Sequence, residues 1–395
     1  MSKTTIVGCD LHSRSMLLRY AVDTAAPVQR SFRNDADGRA AMMHFLVGFA
    51  RDQDCGRIVF VYEASGQGYG LHDQLTDCGI ECYVLSPTHL PRTAKSKRNK
   101  TDAKDAQMLL EQARGFVLAG NKLPIVWTPP QALRDDRELV RCRLETAESL
   151  TRVKLQIFSF LKRHAIALPT WFQTNRGWTR AFASWLQAQA TQMPAVVGPV
   201  LSALVERTEL LKQQITELNR HLRKLAKTPR YAAGCEALCE LVGVGQLTAM
   251  TVLTEMGDLN RFSNRRQVAA YLGLCPSSFE SGDVKDRKGH ITRQGPSRVR
   301  KVLCQAAWAA IRMDTETHLK WERIRGGSSR RGKKAAVAIM RRLAIRMWHT
   351  ASQFDVASEL VQRVTPPPRW TSAQAQQKGP VPSASPPPRP LASTG

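Results

Sequence analysis

Residues 56–65 read "GRIVFVYEAS". Five apolar side chains, Ile58 to Tyr62, follow one another without a polar break and stop at Glu63. A run of that length between turn-forming residues is a strand covered on both faces, the kind found in sheets flanked by helices. Residues 4–11, "TTIVGCDL", repeat the pattern and carry an acid, Asp10, at the same end. "MLLRYAV" (16–22) and the more polar "PVQRSFRN" (27–34) complete a three-stranded meander, and "GRAAMMHFLVGFARD" (38–52) has helical spacing. After the strand at 56–65, "YGLHDQLTDCG" (69–79) predicts a helix ending on Gly79, and "IECYVLS" (80–86) another strand. Strands alternating with helices predict an α/β domain with a mixed sheet.

The remaining chain reads differently. From about 131 to 227 long helical patterns dominate, and Leu204, Thr208, Leu211, Ile215, Leu218, Leu222 and Leu225 alternate spacings of four and three, a coiled-coil seam that Pro229 stops. A helix at roughly 133–164 is its natural antiparallel partner, and the seam serves equally an internal hairpin or a dimer arm. Four segments are expected: an α/β domain over 1–125, a helical coiled-coil region over 131–228, a mostly α-helical domain over 232–360, and a disordered Pro-rich tail over 365–395.

The charge is strongly one-sided. Lys and Arg number 58 against 33 Asp and Glu, a net charge of +25, and residues 261–350 alone hold 21 basic against 6 acidic side chains. Such a field collects polyanions, so nucleic acid is the expected partner. No stretch approaches the 18 apolar residues of a membrane span and the N-terminus lacks a signal-peptide pattern, which predicts a cytosolic protein, nucleoid-associated when active. Nine cysteines without CxxC pairs fit neither a disulfide framework nor a zinc knuckle. Cys78 and Cys82, like Cys235 and Cys239, are read as buried reduced thiols.

Three constellations carry chemistry. Asp10 and Glu63 end apolar strands, where a lone carboxylate is expensive, while Asp102 and Asp105 in "KTDAKDA" (100–106) share one face of a helix. Carboxylates gathered this way repel unless a hard cation, Mg²⁺ or Mn²⁺, sits among them. The plainer reading makes Asp102 and Asp105 ordinary first-turn acids favoured by the helix dipole. Immediately upstream, Lys95, Lys97, Arg98 and Lys100 are placed to grip a nucleic-acid backbone. In "LVGVGQLTAMTVLTEMGDLNRF" (241–262), Gly243 and Gly245 form a turn between helices whose amides suit a phosphate, the helix-hairpin-helix arrangement, or else simply cap a helix. Ser281 lies in a Gly-bearing loop ahead of Lys285, Arg287, Lys288, Arg293, Arg298, Arg300 and Lys301. On composition alone it is a turn residue.

Taken in order, "GCDLHS", "YEASG", "KTDAKDA" and the block from Leu241 to Leu303 resemble the DEDD transposases of insertion sequence family 110 over about residues 4–355. The resemblance implies a RuvC-like, RNase H-type domain with Asp10, Glu63, Asp102 and Asp105 as catalytic, metal-binding acids. It also implies a C-terminal transposase domain whose serine, matching Ser281, attacks DNA and becomes covalently linked to it. Implied partners are double-stranded donor and target DNA, a noncoding bridge RNA, and further copies of the chain in a dimer or tetramer. Two other classes fit parts of the sequence: a RuvC-like Holliday-junction endonuclease would need the acids without the serine, and a non-catalytic nucleic-acid binder only the basic segments.

Overall fold

The computed structural model describes residues 3–91, 101–174, 177–278 and 288–354. Two compact units divide the chain, Met1–Thr128 and Pro129–Gln362.

The first unit is an α/β layer structure. Strands β1 (Lys3–Leu11), β2 (Ser15–Val22) and β3 (Val28–Arg33) form the antiparallel meander, and β4 (Cys55–Glu63) and β5 (Glu81–Leu85) add in parallel on the other side of β1, giving the order β3-β2-β1-β4-β5. The continuous apolar runs therefore belong to the two central strands, which have helices on both faces. Odd residues of β1 and even residues of β4 (Val7, Cys9, Ile58, Phe60, Tyr62) pack with Met42 and Leu46 of helix α1 (Ala36–Asp52) and Leu71 and Leu75 of α2 (Gly70–Asp77). Their opposite numbers, Ile6, Val59 and Val61, pack with Leu109, Leu110 and Ala113 of helix α3 (Asp102–Ala119). Strand β3, mostly exposed and carrying Arg30 and Arg33, is a polar edge of the kind that discourages pairing with other chains.

Helix α3 follows from its sequence. Ala106, Leu109, Leu110 and Ala113 recur at helical spacing and are buried, Asp102 and Asp105 occupy the first turn, and Gly120 closes the helix in the left-handed conformation. The helix lies unusually close to β1. A Cβ on Gly8 would meet the Leu110 amide nitrogen at 2.3 Å and the Ala106 carbonyl oxygen at 2.4 Å, so only glycine allows this approach.

The second unit is helical, with one small two-stranded sheet. Helices α4 (Gln131–Arg163) and α7 (Gly198–Ala226) pack antiparallel, because Val140 and Leu144 share a core with Leu222 and Ala226 while Val153 and Ile157 share another with Leu201 and Val205. The two ends of the predicted seam thus pack within the same chain, Leu204, Leu211 and Leu225 partly buried against these cores, while Ile215 and Leu218 between them are half-buried. The short helix α5 (Thr170–Thr174) and α6 (Arg180–Gln192) close the far end with stacked rings, Phe172 on Phe182 at 4.0 Å and Phe182 on Trp185 at 5.6 Å. The near end merges with α8 (Ala232–Cys239), α9 (Gln246–Met256), α10 (Arg265–Tyr271), α11 (Ser297–Met313), α12 (Thr315–Arg325) and α13 (Gly332–Ala351), around Met250, Leu253, Leu303 and Met347. Arg137, 8% exposed, fixes this junction by donating to the backbone carbonyls of Thr254 (2.6 Å) and Glu255 (3.0 Å) at the end of α9, and Arg141 forks onto the Glu255 carboxylate at 2.7 and 2.9 Å. A cationic group at a helix C-terminus also complements the helix dipole.

Strands β6 (Pro276–Ser278) and β7 (Lys288–Ile291) make the small sheet. Of the cysteine pairs, Cys82 and Cys235 are buried while Cys78 and Cys239 are exposed, and all four are free thiols.

Candidate metal centre and nucleic-acid surface

The parity of the sheet decides where the acids point. Side chains alternate along a strand, so Asp10 leaves β1 on the side of Ile6 and Gly8, and Glu63 leaves β4 on the side of Val59 and Val61. Both belong to the face covered by α3, and they lie one step past the Cys9–Tyr62 pair of the parallel ladder, at the carboxyl ends of adjacent strands. Close packing of α3 on Gly8 then sets the helix's first turn over those ends.

The side chains meet there. His12, the second residue past Asp10, places Nε2 at 3.1 Å from Asp10 Oδ2 and 3.3 Å from Asp102 Oδ1. One ligand atom from each of Asp10, His12 and Asp102 lies within 4.8 Å of the others. Asp10 is the sheltered member, its side chain 15% exposed against 56% for Asp102. Burial pushes the Asp10 carboxyl above its usual range; His12 opposes this, and the carboxylates of Asp102 and Asp105 add to it. Asp105 is therefore within electrostatic reach of Asp10. Among the described residues the grouped ligand atoms belong to Asp10, His12 and Asp102; Asp105 acts on Asp10 through its charge, and Glu63 shares the strand end by register.

This donor set suits a divalent cation. Two carboxylates held within a few ångströms, one of them short of water and disfavoured as an anion, are what a hard cation would stabilise. His12 escaped the sequence reading, although "CDLHS" displays it two residues after the acid. Its participation depends on the tight β1–β2 turn, in which the His12 amide donates to the Ser15 carbonyl at 2.9 Å and its carbonyl accepts from Asn34 Nδ2.

The basic residues divide into those committed within the chain and those facing outward. Lys95, Lys97, Arg98, Lys100, Ser281, Lys285, Arg287, the Lys288 side chain and the Pro-rich tail lie outside the described residues. Arg298 and Lys301 on α11 pair with Glu145 and Glu148 of α4. Arg300 donates to three backbone carbonyls, of Leu272, Gln294 and Gly295, so it holds a loop together. Arg293 is exposed, with a left-handed backbone. Ser277 donates to the His290 carbonyl across the small sheet.

A denser outward cluster begins further on. No Asp or Glu occurs between Glu322 and Asp355, and Arg330, Arg331, Lys333, Lys334, Arg342 and Arg346 are all exposed on or just before α13. Ile339, Met340, Leu343 and Met347 of the same helix are buried, while these cations stay exposed around them. The sequence signal for this surface was the missing acids rather than the number of bases.

The turn before α9 separates two glycine roles. Gly243, at φ +86°, abuts α11, where a Cβ would meet the Ala306 carbonyl oxygen at 2.4 Å. A Cβ on Gly245 would meet nothing within 4 Å, and Gly245 caps α9 without any side-chain bond to the free amides. Gly243 is thus required by packing, and Gly245 stands in open space at a helix N-terminus.

Acids gathered at the ends of adjacent parallel strands in one unit, and a strongly cationic helical surface in the other, are features of an enzyme of nucleic-acid phosphodiesters, and the matches to known proteins narrow the class to transposases. Residues 7–166 match a family model of DEDD transposases, and residues 235–322 match one described as the transposase IS116/IS110/IS902 family. The chain belongs to the IS110 family of DEDD transposases. Among curated relatives, transposase y4qE of Sinorhizobium fredii is 34% identical over 251 residues, which cover 64% of this chain and 58% of that protein. The transposase for insertion sequence element IS1111A of Coxiella burnetii is 27% identical over 73% of this chain and 76% of its own length. The transposase for IS1328 of Yersinia enterocolitica is 22% identical, over 91% of this chain and all of its own. No described helix is long and apolar enough to cross a membrane.

Proposed function

We propose that this protein cuts and rejoins double-stranded DNA as the transposase of an insertion sequence, with Asp10, Glu63, Asp102 and Asp105 holding Mg²⁺ or Mn²⁺ and Ser281 acting as the nucleophile. The observation that carries this reading is the placing of carboxylates from β1, β4 and α3 on one face of one sheet, with Asp10 and Asp102 close enough for a single imidazole to contact both. The mixed sheet, with its functional acids at strand ends, supports an RNase H-type, RuvC-like reading of residues 1–125. A bound divalent cation would lower the pKa of an attacking hydroxyl and neutralise charge developing on the phosphate oxygens.

The chain's own residues supply the rest. Asp10, sheltered from water, gives the site a fixed corner, and Asp102 and Asp105 are presented by a helix whose position Gly8 sets. The Ser281 hydroxyl attacks phosphorus and gives up its proton as an oxygen–phosphorus bond forms to serine; the bond from phosphorus to the deoxyribose oxygen breaks, and that departing oxygen takes up a proton in exchange. Exposed cations of α13, with Arg293 and the lysines and arginines of 95–100 and 285–288, neutralise backbone phosphates. The amides at Gly245 would lie against one phosphate.

In this reading the serine domain of 232–360 works on acids carried by another subunit, so the active form is an oligomer. Half-buried Ile215 and Leu218 in the middle of the α4–α7 hairpin, and exposed Leu155 and Leu210, give it apolar surface for association. Target choice falls to a bridge RNA, whose backbone the cationic surface would also accept.

The test combines two variants. Asp102→Asn should abolish cleavage that depends on Mg²⁺ while leaving salt-sensitive DNA binding intact. Ser281→Ala should remove both cleavage and a covalent protein–DNA adduct visible on denaturing gels. An adduct that persists in Ser281→Ala, or that maps by mass spectrometry to Ser277 or Ser278, would overturn the serine assignment. Cleavage at wild-type rate by Asp102→Asn would overturn the metal site.

A further inference from the structure

The contact of one imidazole with two carboxylates has two physical explanations, and they predict opposite effects of removing it. In the first, a protonated His12 is a counter-ion that partly neutralises Asp10 and Asp102. In the second, the ring is a ligand, its Nε2 occupying one corner of a coordination shell whose other corners are carboxylate oxygens.

We propose that His12 is a nitrogen ligand to the divalent cation at Asp10 and Asp102, so the centre binds through a mixed nitrogen and oxygen set rather than carboxylates alone. The proposal rests on the metal reading given above. In an octahedral shell with metal–ligand bonds of about 2.1 Å, neighbouring ligand atoms lie about 3.0 Å apart. The observed separations, 3.1 Å from Nε2 to Asp10 Oδ2 and 3.3 Å to Asp102 Oδ1, match two such edges and need only small side-chain adjustment. The ring reaches this position from a held backbone. Besides accepting from Asn34 Nδ2, the turn is braced through Asn34, which donates to Gln67 Oε1 at 2.7 Å and accepts from Arg39 Nε at 2.7 Å. A fixed turn reduces the entropy that a free side chain would lose on coordination.

The chemical consequence is selectivity. Imidazole nitrogen adds more affinity for Mn²⁺ and the later divalent ions than for Mg²⁺, which prefers oxygen and retains its waters. A site with His12 as ligand should therefore favour Mn²⁺ over Mg²⁺ by tenfold or more in direct competition.

The experiment uses the full-length protein without nucleic acid and Mn²⁺ as the probe. Free Mn²⁺ is followed by its electron paramagnetic resonance signal, and pulsed measurements on bound Mn²⁺ detect coupling to a directly ligated nitrogen-14. The expected result is a Mn²⁺ site abolished by Asp102→Asn that shows nitrogen coupling. His12→Ala and His12→Gln should lose the coupling and bind tenfold or more weakly while keeping the wild-type melting temperature within a few degrees. If the site is sensitive to Asp102→Asn but shows no nitrogen coupling, or if either His12 variant binds Mn²⁺ more tightly, the imidazole is a counter-ion and the proposal fails while the metal reading stands. If wild-type Mn²⁺ binding is absent or indifferent to Asp102→Asn, the metal reading itself fails and His12 falls with it.

Discussion

Replacing Gly8 with alanine should damage the acidic site without touching any acid. The new Cβ would sit 2.3 Å from the Leu110 amide nitrogen, 2.4 Å from the Ala106 carbonyl oxygen and 2.9 Å from Leu110 Cα. All three are backbone atoms of α3, so no side-chain rotation relieves the clash, and an ordinary contact is restored only if the helix retreats from the sheet by about 1 Å. Overpacking of this kind costs about 1–3 kcal/mol, a fall in melting temperature on the order of 5–10 °C for a unit of this size. Because α3 carries Asp102 and Asp105 in its first turn, the same retreat opens the site, and misplacement by about 1 Å can cost on the order of 100-fold in rate. Thermal melting, Mn²⁺ titration and DNA cleavage on the purified full chain measure the three effects. Gly48→Ala is the control: it lies within α1 of the same unit, a Cβ there meets nothing within 4 Å, and alanine should leave stability unchanged or raise it by up to about 1 kcal/mol. If Gly8→Ala melts within 1 °C of the wild type and binds Mn²⁺ normally, helix position does not set the geometry of the acids.

The remaining predictions concern separate parts of the molecule. Asp10→Asn should raise the melting temperature of metal-free protein, since burial and two neighbouring carboxylates disfavour the ionised Asp10, and should abolish Mn²⁺ binding; a fall in metal-free stability would contradict this. Gly243→Ala should unfold at a clearly lower temperature, whereas Gly245→Ala should melt like the wild type yet bind DNA more weakly, as filter binding or fluorescence anisotropy would show; equal DNA affinity would remove the phosphate role from that turn. Changing Arg342 and Arg346 together to glutamine should reduce the slope of log affinity against log salt by about 2 for duplex DNA, with little change in folding, and an unchanged slope would exclude α13 from the interface.

How much of this was legible in the sequence depended on the range of the interaction involved. The strand at 56–65 and its partner at 4–11 could be read because burial on both faces leaves an unbroken apolar run; the seam of α7 could be read as an apolar stripe repeating over three heptads, but not whether α4 or another copy covers it. Asp10 and Asp102 stood out as acids where acids are costly or grouped. His12 did not, because a histidine after a strand has no periodic signature; only the tight turn to Ser15 and the close approach of α3 bring its ring to both carboxylates. The internal partners of Arg298, Arg300 and Lys301 were hidden for a related reason. Charge counting registers a cation but not its partner, and Glu145, Glu148 and the Leu272 carbonyl are distant in sequence. The two glycines of "GVG" look alike in sequence, and only the presence of α11 beside Gly243 separates a packing requirement from an open helix end.

The order of strands carries a consequence for the newly made chain. Asp10 and Glu63 become neighbours only through the parallel pairing of β1 with β4, across an excursion that includes β2, β3 and α1, and Asp102 joins them only when α3 has docked on Gly8. Pairings between segments so distant along the chain form late and slowly. No shorter fragment emerging from the ribosome can collect these carboxylates, and partial unfolding of the first unit scatters them again. In the proposed function, competence for DNA cleavage is therefore tied to complete folding of that unit, and a nascent or partly unfolded copy lacks the assembled site.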